Sequence, residues 1–120
     1  MTLAEYDDFC RSLPHATHVV QWGASHVWKV GGKVFAIAGE AEGFRVSFKV
    51  SELAFDILRE QPGCQPAPYL ASRGMKWIQD YDEPGLDDEA LKDQLRESYR
   101  IVSLGLTKKL QKELGLNQGR

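Results

Sequence analysis

The chain has 120 residues, 42% of them hydrophobic and 27% charged, with a formal net charge of −2. That balance suits one modest core in a single domain spanning 1–120 and excludes a disordered chain. It also excludes a bulk polyanion binder, so any nucleic-acid role must rest on a local patch.

Thr2 to Leu13 reads as a helix. Thr2 and Glu5 have capping-box spacing, Leu3, Tyr6, Cys10 and Leu13 make an apolar stripe, and Pro14 stops it. His18 to Trp22 is a short strand, and Gly23-Ala24-Ser25 turns the chain into a hairpin over His26–Ala38 with a Gly31-Gly32 turn. With that turn and no irregularity, Val30 faces Lys33, Trp28 faces Phe35 and His26 faces Ile37. Trp28, Phe35 and Ile37 then share one face, and Val27, Lys29, Val34 and Ala36 the other. Residues 39–43 are a polar loop. From Phe44 to Val50 apolar and polar residues alternate, a strand with Phe44, Val46, Phe48 and Val50 inward and Arg45, Ser47 and Lys49 outward.

Ser51 is the N-cap of a helix to about Glu60, with Ala54, Phe55, Ile57 and Leu58 on its inner side. Cys64 to Pro68 is a proline-broken connection. Tyr69–Ala71 and Met75–Asp80 are the next strands. Asp87 caps the longest helix, whose Leu91, Leu95, Tyr99, Val102, Leu106 and Leu110 lie on one face; Gly105 marks either a bend or a second helix from Thr107. Acids at its start and Lys108, Lys109 and Lys112 at its end complement the helix dipole. The expected fold is α+β: a two-layer sandwich in the order α-β-β-β-β-α-β-β-α, its antiparallel sheet covered by helices on one face.

No apolar run approaches a membrane span and no secretory leader is present, so a cytoplasmic monomer is expected, with Cys10 and Cys64 as reduced thiols. His15, His18 and His26 lie close in sequence, but without a ligand pair at useful spacing or a CxxC, so neither metal nor cofactor is expected. Cys10 falls on an inward stripe and Ser98 inside a helix, which offers no activated nucleophile. The acids from Asp80 to Glu89 read as a solvated loop and helix start. The remaining constellation is basic and aromatic. Lys29, Arg45 and Lys49 share the open sheet face, Lys33 sits near the hairpin tip, Arg73, Lys76 and Trp77 fall on or beside the next strand, and Lys108 and Lys109 cluster near the C-terminus. Phosphates pair with such cations, and bases stack on aromatics.

Nearly end to end, the chain resembles the MmcQ/YjbR family of small bacterial proteins. The residues that carry this are Leu13-Pro14-His15-Ala16-Thr17, Trp22-Gly23, the hairpin ending Val30-Gly31-Gly32-Lys33-Val34-Phe35-Ala36, Lys49, Pro66-Ala67-Pro68-Tyr69, Lys76-Trp77-Ile78, Ser98-Tyr99 and Leu106-Thr107-Lys108-Lys109-Leu110. The resemblance implies a frataxin-like (CyaY-like) fold and a double-wing DNA-binding surface of two hairpin or loop wings. The expected function is therefore a non-enzymatic domain that binds DNA through the Lys29–Lys49 face and the Gly31-Gly32 tip. Lys76, Trp77, Lys108 and Lys109 would form the second wing. The alternative is a small-molecule or protein-interaction module, with a frataxin-like metal carrier as a third class. The first helix has only Glu5, Asp7 and Asp8, fewer acids than a frataxin-type iron ridge needs.

Overall fold

The computed structural model describes residues 1–119. Helix α1 (Leu3–Arg11) precedes strands β1 (Ala16–Gln21), β2 (Ser25–Val30), β3 (Lys33–Gly39) and β4 (Arg45–Lys49). Helix α2 (Glu52–Leu58), strand β5 (Cys64–Pro66), a single 3-10 turn at Ala71–Arg73 and strand β6 (Trp77–Asp80) follow. Helices α3 (Asp88–Leu104) and α4 (Lys108–Leu114) complete the order. The strands pair antiparallel throughout, in the spatial order β1-β2-β3-β4-β6-β5. This is the α+β sandwich expected from the sequence.

The helices start where short polar side chains satisfy otherwise unpaired amides. Thr2 and Glu5 form a capping box. Ser51, Asp87 and Thr107 each accept from the amide three residues on.

The register sorts the strand residues into two faces, because directly paired residues point the same way. One row runs His18, Trp28, Ala36, Phe48, Ile78, Pro66 across all six strands. Its middle members are buried in one core with Tyr6 and Cys10 of α1, Phe55 and Leu58 of α2, and Leu91, Leu95 and Val102 of α3. Each such large side chain removed from water contributes roughly 1.5–3 kcal/mol. The next row, Val19, Val27, Ile37, Ser47, Gln79, Gln65, lies on the opposite face.

Four expectations are corrected. The β2–β3 ladder shifts register between Trp28 and Lys29, so Trp28 pairs with Ala36 and Lys29 with Val34, leaving Phe35 as the extra residue. The bulge moves Ala36 to the core face and Ile37 to the opposite one, against the parity reading, because one inserted residue inverts everything beyond it. Tyr69–Ala71 is not a strand; Cys64–Pro66 is, at the sheet edge where a proline costs no ladder bond. Ile57 is solvent-exposed rather than inward. Finally, Lys108 and Lys109 do not complement a helix end: of the two readings of Gly105 the second helix is the one observed, α3 ends at Leu104, and these lysines occupy the first turn of α4 and oppose its dipole.

The hairpin tip is docked. Gly31 (φ +56°) and Gly32 (φ +83°) both take the left-handed conformation of the tight turn. A Cβ on Gly31 would lie 2.7 Å from Leu106 Cδ1, whereas one on Gly32 would meet nothing within 4 Å. The corner between α3 and α4 therefore sits on the tip, and Lys33 Nζ donates to the Gly105 carbonyl at 3.2 Å. We expect Gly31→Ala to destabilise by about 2–3 kcal/mol, backbone strain plus overpacking, and Gly32→Ala by only about 1 kcal/mol, strain alone. Urea melts of the two variants would show equal losses if the tip were free.

Candidate functional site: the open face of the sheet

The strands project Thr17, Val19, Gln21, Ser25, Val27, Lys29, Val34, Ile37, Gly39, Arg45, Ser47, Lys49, Gln65, Trp77 and Gln79 away from the helix-covered core. Every formal charge in that set is positive. Among the described residues, no carboxylate occupies an outward strand position, although the chain is net acidic. The one strand carboxylate, Asp80, lies in a row with Ala38, Val46 and Cys64 on the core side. Burial raises its pKa above the usual carboxylate range, and the Leu86 amide, 2.9 Å from Oδ2, partly offsets that. Asp80 thus leaves the solvated acidic run to which the sequence assigned it.

Three aromatic or apolar features give the open face relief. Trp22 sits in the β1–β2 turn with φ +51° and is 64% exposed. A bulky residue adopts that conformation at a cost of about 1 kcal/mol. Trp77 faces Lys49 across β4 and β6, is only 3% exposed, and its indole Nε1 has no hydrogen-bond partner. Between them lies a cavity of about 440 Å³, lined by Trp22, Ile37, Leu70, Met75 and Trp77, with Lys33 and Lys49 also at its wall.

The cavity exists because β3 and β4 part beyond the Ala36–Phe48 pair. The rung that would join Lys49 to Phe35 is replaced by the hydroxyl of Ser98. The Lys49 amide donates to Ser98 Oγ at 2.8 Å, and Ser98 Oγ donates to the Phe35 carbonyl at 2.6 Å. Ile101, Val102 and Gly105, one turn and more beyond Ser98 on the same chain, form the cavity's far wall.

The basic residues singled out in the sequence are not one surface. Lys29, Arg45 and Lys49 share the open face, as expected. Arg45 Nε is buried without a partner while Nη1 lies 3.8 Å from Glu42. Lys33 reaches the same cavity as Lys49, and Arg73 is exposed on the 3-10 turn. Lys76 turns away, its Nζ 4.7 Å from the centre of the Phe55 ring on α2. Lys108 and Lys109 are exposed on α4. The tip docked under Leu106 is no free wing, and Lys76 and Trp77, though adjacent, point to different sides.

Sequence reasoning missed one cluster. Asp7, His18 and His26 converge on the core-side rim of β1 and β2, their ligand atoms all within 4.8 Å of one another. His18 and His26 point to the same side because β1 and β2 pair antiparallel, and α1 brings Asp7 to them; no spacing rule within one segment reports that. Both cysteines are buried and free, and burial pushes the Cys64 thiol up to about 11 and Cys10 higher still, which favours thiol over nucleophilic thiolate.

A six-stranded antiparallel sheet with helices packed on one side, and strand charges that are all cationic on the other, among side chains as buried as Val27 and Trp77, defines a small α+β domain. The chain belongs to the YjbR family, whose profile matches residues 11–101. It is similar to the uncharacterized protein YbdF of Escherichia coli O157:H7, at 28% identity over 90 residues, covering 73% of this chain and 72% of YbdF. The crystal structure of Deinococcus radiodurans protein DR2400, a DUF419 domain, superposes with a TM-score of 0.85 at 26% identity, covering 99% of this chain and 91% of that one. A Pseudomonas syringae protein shares the fold at 18% identity and a TM-score of 0.68, over 84% of this chain and 98% of its own. No helix among the described residues is long and apolar enough to cross a membrane.

Proposed function

We propose that this chain is a non-enzymatic domain that binds nucleic acid on the open face of its sheet. The observation that carries this reading is the sign of the face: among the described residues Lys29, Arg45 and Lys49 are its only strand charges, on a protein of net charge −2. Segregated positive charge on an acidic protein suits local phosphate contacts rather than wrapping of a long duplex. Trp22 stands exposed beside the cavity, where an unpaired base can stack on it, so a single strand or a frayed end fits better than an intact groove. The two buried, unpaired thiols suit a reducing compartment such as the cytoplasm.

Fluorescence titration with a single-stranded oligonucleotide and a matched duplex, across salt, tests this. Three phosphate contacts predict a slope of log affinity against log salt of about −2 for a single strand. Reversing Lys29, Arg45 and Lys49 to Glu should weaken binding at least tenfold, by roughly 1.4 kcal/mol or more, with circular dichroism unchanged. Failure of both nucleic acids to bind at low salt overturns the reading, and unchanged affinity in the triple variant clears this face of the role.

The cavity favours a second reading, a small anion with an apolar body. Its volume falls in the range of small-molecule sites, and its walls pair apolar side chains with Lys33 and Lys49. A fluorescent aromatic sulfonate that saturates at one site, loses affinity in Lys49→Glu, and is not displaced by oligonucleotide would favour this reading over the first.

A further inference from the structure

Away from the open face, Asp7, His18 and His26 form a set that the binding surface does not use. His26 Nδ1 lies 2.8 Å from Asp7 Oδ2, His18 Nε2 lies 3.2 Å from His26 Nδ1, and His18 Nε2 lies 3.8 Å from Asp7 Oδ1. Ligands bound to one tetrahedral ion at about 2.0–2.1 Å stand about 3.4 Å apart. The observed separations lie on both sides of that value, and all three donors stand within 4.8 Å of one another, so side-chain adjustment rather than a backbone rearrangement would admit an ion.

The surroundings hold the donors in place. Trp28 Nε1 donates to Asp7 Oδ1 at 2.9 Å, leaving Oδ2 for the histidine side. The His18 ring stacks on Trp28 with centroids 4.7 Å apart and planes 27° from parallel, which fixes its plane. Tyr6 Oη donates to the His26 carbonyl at 2.9 Å and locks α1 to β2 beside the cluster. Orientation of ligands by such outer partners is a feature of built metal sites. Arg11 lies over the Trp28 ring, 5.3 Å from its centre, and is paired with Asp8. His18 is open to solvent, so an ion has a path in.

We infer that Asp7, His18 and His26 bind one divalent transition-metal ion through one carboxylate oxygen, Nε2 of His18 and Nδ1 of His26. Two imidazoles and one carboxylate select zinc or ferrous iron over calcium or magnesium, which prefer all-oxygen sites. Three protein donors leave at least one coordination position to water. The ion would tie α1 to the edge hairpin β1–β2, and the site is independent of the nucleic-acid reading.

Calorimetric titration of the metal-free protein with zinc tests it, with cobalt absorption as a second readout. One ion per chain at micromolar affinity or tighter is expected, with a rise in melting temperature on saturation. His18→Ala and Asp7→Asn should each weaken zinc at least tenfold. Trp28→Phe should weaken it roughly tenfold through the lost bond to Asp7, and His15→Ala should leave it unchanged. His18→Ala removes a solvent-open side chain, so its fold is expected to survive even if Asp7→Asn loosens α1. Absence of saturable zinc and cobalt binding overturns the site, as does affinity retained in both His18→Ala and Asp7→Asn.

Discussion

Gly63→Ala should be the most damaging small substitution in the chain. Gly63 directly precedes the edge strand β5 with φ +90°, a region open to glycine alone at low cost. A Cβ there would press into the Asp82 carbonyl and the Gly85 amide nitrogen, and would lie 2.8 Å from Gly85 Cα. All three are backbone, so no side-chain rotation relieves the contact. The same residue anchors the loop after β6: its carbonyl accepts from the Tyr81 amide at 2.9 Å, while Pro62 accepts from Gly85 at 3.0 Å. Moving the loop aside breaks these bonds, and keeping it leaves the clash. Backbone strain of about 1–2 kcal/mol and overpacking of about 1–3 kcal/mol add to roughly 2–5 kcal/mol. Against a total of about 5–15 kcal/mol, that is a large share of the stability. Gly74→Ala is the control. Its φ is +82° and nothing lies within 4 Å of the added carbon, so only the strain of about 1 kcal/mol remains. Calorimetric melts should place Gly63→Ala several degrees or more below Gly74→Ala, at about 2–8 °C per kcal/mol; equal melting temperatures would mean that the loop yields freely.

Much of the architecture is legible without coordinates. The caps Thr2, Ser51 and Asp87 and the alternation from Phe44 to Val50 are local signals, and local signals set helix starts and one-face burial. The hairpin shows where legibility stops. Its turn was readable from Gly31-Gly32, but the bulge at Phe35 was not, because no neighbouring residue signals it; the Phe35 carbonyl is held by the Ser98 hydroxyl arriving from α3, sixty-three residues on. Ile37 and Ala36 consequently change sides. Arg45, Ser47 and Lys49 kept their predicted face because β4 has no such irregularity. The candidate site divides in the same way. Its charges could be assigned by parity, while the cavity between Trp22 and Trp77 depends on two strands parting. The Asp7, His18, His26 set depends on a helix crossing a hairpin. Lys76 was assigned with Trp77 because they are neighbours in sequence, yet neighbours at the start of a strand point oppositely.

Ser98→Ala should connect stability to the cavity. Ser98 is fully buried and its hydroxyl serves two backbone groups at once, accepting from Lys49 and donating to Phe35. Alanine fits the space but leaves the part-buried Lys49 amide and the buried Phe35 carbonyl unpaired. An unsatisfied buried group costs about 1–3 kcal/mol, so the loss should be roughly 2–4 kcal/mol unless the strands move. They have one way to recover: β3 and β4 can zip by one more rung, joining Lys49 directly to Phe35. That closure would draw Lys49 toward β3 and narrow the space that Lys49 shares with Trp77 and Ile37. The two responses have opposite signatures. If the gap stays open, the variant is destabilised, the Lys49 amide loses its protection from hydrogen exchange, and anion binding on the open face survives. If the strands zip, much of the stability returns, the amide stays protected, and binding of a cavity-sized anion falls. Ser98→Thr keeps the hydroxyl but adds a methyl to a full core, so it should cost less than alanine and leave the amide protected. A variant that kept wild-type stability, exchange and binding alike would show that the hydroxyl bridge neither supports the fold nor holds the cavity open.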